Sequence, residues 1–112
     1  MQKELSHRDR ELFLQKAPIW NRLSMAKLVT EFLPYLNDGE EMPEPLKEQS
    51  RVMQEDKLRF EHPESITREE IIDRLESFVL EGVIGLKGLD CFSKDVREEV
   101  EDFLACVNAA RS

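Results

Sequence analysis

The chain predicts an all-α domain: a small bundle of four or five helices closed by a C-terminal antiparallel helical hairpin. Three observations carry that expectation. Ile71, Ile72, Leu75, Phe78 and Val79 recur at helical spacing, and Val96, Val100, Phe103, Leu104 and Val107 repeat nearly the same period. A third stripe, Met25, Leu28, Val29, Phe32, Leu33 and Leu36, follows the same rule nearer the start. The punctuation is helical too. Thr67 and Glu70 have capping-box spacing, Ile66 and Ile71 bracket them as a hydrophobic staple, and Gly82 supplies a left-handed stop. With 112 residues the chain makes one domain, 1–112, with one modest core.

Taken in order, Ser6 caps a first helix that has Asp9 and Glu11 early and Lys16 late, as the helix dipole favours. Pro18 then interrupts and opens a second helix over 19–36, with Ile19, Trp20 and Leu23 ahead of the stripe and Pro34 ending it near Phe32 or Leu33. Asn37-Asp38-Gly39 is a turn, extended to residue 45 as an acidic loop with prolines at 43 and 45. The third helix, 46–61, is polar. Its apolar residues Leu46, Met53 and Phe60 lie seven apart and form only a thin seam, suited to another chain. The connection 82–92 carries Gly82, Gly85 and Gly88 but lacks the spacing of a phosphate loop, so it reads as a packed link burying Val83, Ile84, Leu86 and Leu89. Ser93 caps the last helix. The helix at 19–36 and the hairpin 67–108 are expected to make the core.

Charge narrows the function classes. Net charge is −8, but residues 1–36 carry six Lys/Arg against four Asp/Glu, while 37–112 carry ten against twenty. So acidic a second half does not suit a nucleic-acid backbone; it suits a basic protein surface or the basic end of another copy. The first residues show no apolar run after their charges, and no stretch approaches the ~18 apolar residues of a membrane span. The expected compartment is therefore cytoplasmic, with no membrane partner. Cys91 and Cys106 have no metal-ligand spacing and are expected reduced, Cys106 as a small hydrophobe and Cys91 the more accessible. His7 and His62, the two imidazoles, sit at element ends and read as solvated residues, not bases.

Two acidic motifs remain. Glu69-Glu70-Ile71-Ile72-Asp73 on one hairpin helix is echoed by Glu98-Glu99-Val100-Glu101-Asp102 on the other. At i, i+3 spacing, Glu70 with Asp73 and Glu99 with Asp102 could each offer oxygens to one hard cation. The pairing, and residues 96 to 108 in particular, resembles the all-α nucleotide pyrophosphohydrolases of the MazG-like group, with Asp73 where that family's first motif ends in Glu. The resemblance implies a magnesium site at Glu70, Asp73, Glu99 and Asp102 over a nucleoside triphosphate. Against it, the helical wheel sets Glu70, Asp73 and Asp102 on the polar side, as solvated faces.

The sequence therefore points first to a non-enzymatic protein-binding module: an adaptor, regulator or inhibitor without cofactor, for which a homodimer is one available form. Its anchors would be Trp20, Met25, Met53 and Phe60, since Trp and Met are enriched at interfaces. The magnesium-dependent pyrophosphohydrolase is the alternative, and mimicry of nucleic acid by the acidic faces is a third reading.

Overall fold

The structure, a computed structural model, describes residues 5–35 and 41–111; within them the chain is all helical, with no strand. Four α-helices follow one another: α1 (His7–Phe32), α2 (Glu44–Arg59), α3 (Arg68–Leu80) and α4 (Lys94–Arg111), joined in part by short 3-10 turns. No helix among the described residues is long and apolar enough to cross a membrane. The expected turn at Asn37-Asp38-Gly39 and the stripe residue Leu36 lie outside the described residues.

The first correction concerns Pro18. The hydroxyl of Ser6 accepts from the Asp9 N–H at 3.1 Å, capping α1 as expected, but the helix then runs unbroken through Pro18. Proline in a helix interior removes a hydrogen bond and costs about 3 kcal/mol. Here a continuous buried face outweighs it: Asp9, Phe13, Ala17, Trp20, Asn21 and Ser24 fall on one side of α1, while Pro18 points to solvent. Pro18→Ala is expected to raise the unfolding free energy by about 1–2 kcal/mol, the restored hydrogen bond being partly offset by a freer unfolded chain. Chemical denaturation measures it.

The second correction follows from that face. Because it includes Asp9, Asn21 and Ser24, apolar periodicity pointed to the wrong side of the helix. Of the expected core stripe, Leu33 is 62% exposed and Val29 38%, and Met25, Leu28 and Phe32 are only half-buried. The core instead gathers Phe13, Ala17 and Trp20 of α1 with Ile66, Ile71, Ile72, Leu75, Phe78, Leu89, Phe92, Val96 and Val100.

Cross-contacts fix the directions. Phe13 meets Phe60 edge-on at 5.8 Å, and Asn21 meets Asp56 and Gln49, so α2 runs antiparallel to α1. The Arg10 guanidinium donates to the carbonyls of Pro63 (2.7 Å) and Ile66 (2.5 Å), and Ser24 donates to Glu81, so α3 runs alongside α1 in the same direction. The start of α3 matches its sequence: Thr67 Oγ1 accepts from the Glu70 N–H at 3.2 Å, between buried Ile66 and Ile71. Its end is a Schellman turn. Gly82 takes φ 76°, with the N–H of Val83 bonded to Phe78 O and that of Gly82 to Val79 O, both at 3.0 Å. Of the link that follows, Leu89 is buried, Val83 and Ile84 are half-buried, and Leu86 is 47% exposed.

The antiparallel hairpin expected of α3 and α4 is not confirmed. Arg68, at the start of α3, pairs with Asp95 at 2.9 Å and Glu99 at 2.6 Å, at the start of α4. In an antiparallel pair it would meet the end of α4. The link through Leu89 and Phe92 carries the chain back before α4 begins, and the buried Asp9 carboxylate receives the Ser93 N–H at 2.9 Å there. Hydrogen bonds to Asp95 and Glu99 hold the Arg68 guanidinium more firmly protonated than usual, outweighing the opposing effect of burial.

The result is a slab of 53 × 41 × 21 Å with a radius of gyration of 15.6 Å. A spherical domain of this length would have about 13 Å. Helix faces that a sphere would cover are therefore left open.

Candidate partner-binding surface

Two features of the slab can carry function: the ground around α2, and the outer face of α1. Around α2, one polar network is central. The Arg74 guanidinium donates to both Asp56 oxygens at 2.6–2.7 Å and to Asn21 Oδ1 at 2.7 Å, while Asn21 Nδ2 donates to Asp56 at 2.7 Å. Three helices are thereby tied through one amide, one carboxylate and one guanidinium, and Arg74 also lies 5.2 Å over the Phe78 ring. Within α2, Leu46 is the one buried residue among those described, and half-buried Val52 and Met53, Gln49 donating to the Asn21 carbonyl and the Arg59–Glu70 pair complete its attachment.

Clefts flank the knot. One, of about 320 Å³ between α2 and α3, has Phe13, Val52, Phe60 and Ile66 beneath a charged rim that includes Arg59, Glu70 and Asp73. The other, of about 310 Å³ between α1 and α2, is lined by Pro18, Asn21, Arg22, Met53, Asp56, Lys57 and Phe60. Met53 and Phe60, expected as anchors, thus meet in one half-open cleft. Met25 is half-buried. Trp20 is corrected: it is 7% exposed, edge-on to Phe78 at 5.5 Å and tilted against Phe92 at 6.4 Å, so it is core and not an anchor. Pro18 beside it is exposed, which made the pair look like a surface motif, but the indole turns inward.

The four carboxylates suggested by the resemblance do not converge. Glu70 is taken by Arg59 at 2.6 Å and Glu99 by Arg68 at 2.6 Å, while Asp73 and Asp102 are exposed. Only Glu70 and Asp73 reach the same cleft. No group of three or more His, Cys, Asp or Glu side chains among the described residues could hold a metal ion. The cysteines also exchange their expected settings, Cys91 being half-buried and Cys106 exposed. His7 and His62 are exposed, as expected.

Two carboxyls among the described residues depart from ordinary acid–base behaviour, Glu48 being lowered by its hydrogen bond with Arg51. Glu76 is held above the usual carboxylate range by burial first, then by the charges of Asp73 and Glu99. Its raised folded pKa means the folded state binds the extra proton, so Glu76 lowers stability when ionised, and that loss disappears as pH falls through the folded pKa. Glu76→Gln is therefore expected to melt higher than the wild type at pH 7. The difference should shrink as both are taken through the acid range, which a series of melts would follow.

The outer face of α1 is the feature that sequence reasoning missed. Ile19 (48% exposed), Leu23 (49%) and Leu33 (62%), with exposed Ala26 and Thr30 between them, form one row. Their spacing of four, three, four and three residues is that of a coiled-coil seam, and at 1.5 Å per residue the row extends roughly 21 Å. The signal was present in Ile19, Ala26 and Leu33, each seven apart; Leu5 and Leu12 continue the spacing but pack against the core. The stronger-looking stripe beside it concealed it.

Set against protein-family models, characterised proteins and solved structures, the chain shows no significant match.

Proposed function

We propose that this chain is a non-enzymatic protein-binding module, an adaptor, regulator or inhibitor that engages another protein through α1. The observation that supports it is the row of Ile19, Leu23 and Leu33, large aliphatic side chains exposed along α1 and the turn that follows it, whereas Met42, Leu58, Leu80 and Leu86 are exposed at separate places. Scattered exposed apolar residues are ordinary; a continuous seam at coiled-coil spacing is not. The α1–α2 cleft with Met53 and Phe60 lies on another side of the same helix and offers a flexible, polarisable recess for an inserted side chain. Met25, half-buried on α1, remains part of this reading.

The test is differential capture. Immobilised wild-type protein and Leu23→Glu are exposed to the same extract. Proteins retained by the first and lost by the second are the partners, and the expected loss is at least tenfold, as when a charge enters an apolar contact. Retention of the same proteins by both would remove α1 from the interface.

A further inference from the structure

The row on α1 has a sign as well as a shape. From Leu12 to Thr30 the sequence holds no carboxylate, while Lys16, Arg22 and Lys27 are cations; Glu31 follows within the span of the row, and the Lys27 ammonium also donates to the Glu81 carbonyl. In a seam that runs through residues 19, 23, 26, 30 and 33, one flank holds Arg22 and Val29 and the other Trp20, Lys27 and Pro34, so the charged flanking residues are Arg22 on one edge and Lys27 on the other. Such flanking charges choose the partner and its direction. Two copies of α1 laid together in parallel would set Arg22 of one against Lys27 of the other. Laid antiparallel, they would set arginine near arginine and lysine near lysine. Self-pairing through this row is thus opposed in either direction.

We infer that the row seats an acidic amphipathic helix of a partner protein, its apolar residues meeting Ile19, Leu23 and Leu33 and its carboxylates meeting Arg22 and Lys27. This rests on the protein-binding reading and specifies the partner. It also reverses the sign expected from net charge. The acidic excess of 37–112 attracts basic surfaces at long range, but the one exposed seam on α1 lies in a cationic stretch. Thr30, a polar residue within the seam, makes register more selective than an all-leucine row would.

The probe is a labelled synthetic helix with leucine at the seam positions and glutamate at the flanks, compared with the same peptide carrying lysine at the flanks. Binding is followed by fluorescence anisotropy, and the protein alone is run in sedimentation velocity over a range of concentrations. The acidic peptide is expected to bind and the lysine peptide not. High salt should weaken binding, Arg22→Glu should weaken it roughly threefold to tenfold, and Leu23→Glu should abolish it. Equal binding of both peptides, or preference for the lysine one, would overturn the acidic assignment and leave the module reading standing. Binding of neither by a monomeric wild type overturns it as well, and the module reading is then decided by differential capture alone. A concentration-dependent dimer lost in Leu23→Glu overturns it in favour of a second copy.

Discussion

Arg74→Ala is expected to lower the unfolding free energy by about 3 kcal/mol, because removing one member of a largely buried charged network strands the others. Asp56 would lose its guanidinium and Asn21 its donor, at the place where α1, α2 and α3 meet. α2 should suffer most. Leu46 is its one fully buried residue among those described, so amide exchange in α2 is expected to accelerate more than in α3 or α4. Denaturant titration gives the energy and hydrogen exchange gives its location. A uniform loss over all helices would mean that α2 is held by its half-buried apolar residues instead.

Leu75→Ala should cost a similar amount by a different route. Leu75 is fully buried in the middle of α3, among Ile71, Ile72 and Phe78. Truncating such a leucine removes its transfer energy and leaves a cavity, about 3 kcal/mol, which for a domain of this size lowers the melting temperature by roughly 10–15 °C. Thermal melts measure it. A loss under about 1 kcal/mol would show that neighbouring helices close the gap.

These two changes also mark what the sequence made legible. α3 could be read almost residue by residue, since capping threonine, staple, apolar stripe and terminal glycine all agree, and agreement across levels is what defines an element. α1 was harder because its evidence conflicted. Pro18 argued for a break, and the most apolar stripe lay on a side that the fold only half-buries. The buried face of α1 uses Asp9, Asn21 and Ser24, which are core residues only because Ser93, Asp56, Arg74 and Glu81 meet them from distant parts of the chain. No local pattern announces such pairings. The candidate anchors divide in the same way. Met53 and Phe60 were legible as a thin seam on a polar helix, whereas Trp20 is fixed by Phe78 and Phe92, many residues away. The acidic motifs repeated on two helices, but Arg59 and Arg68 occupy Glu70 and Glu99, a use that spacing along the chain does not reveal.

The interface proposed on α1 requires that its row contribute little to the core of the single chain. Denaturant unfolding of Ile19→Glu combined with Leu23→Glu tests it without knowledge of any partner. An unfolding free energy within about 0.5 kcal/mol of the wild type is expected, as for surface substitutions away from buried features. A loss of more than about 2 kcal/mol would contradict it, placing these side chains in packing that already stabilises the free protein.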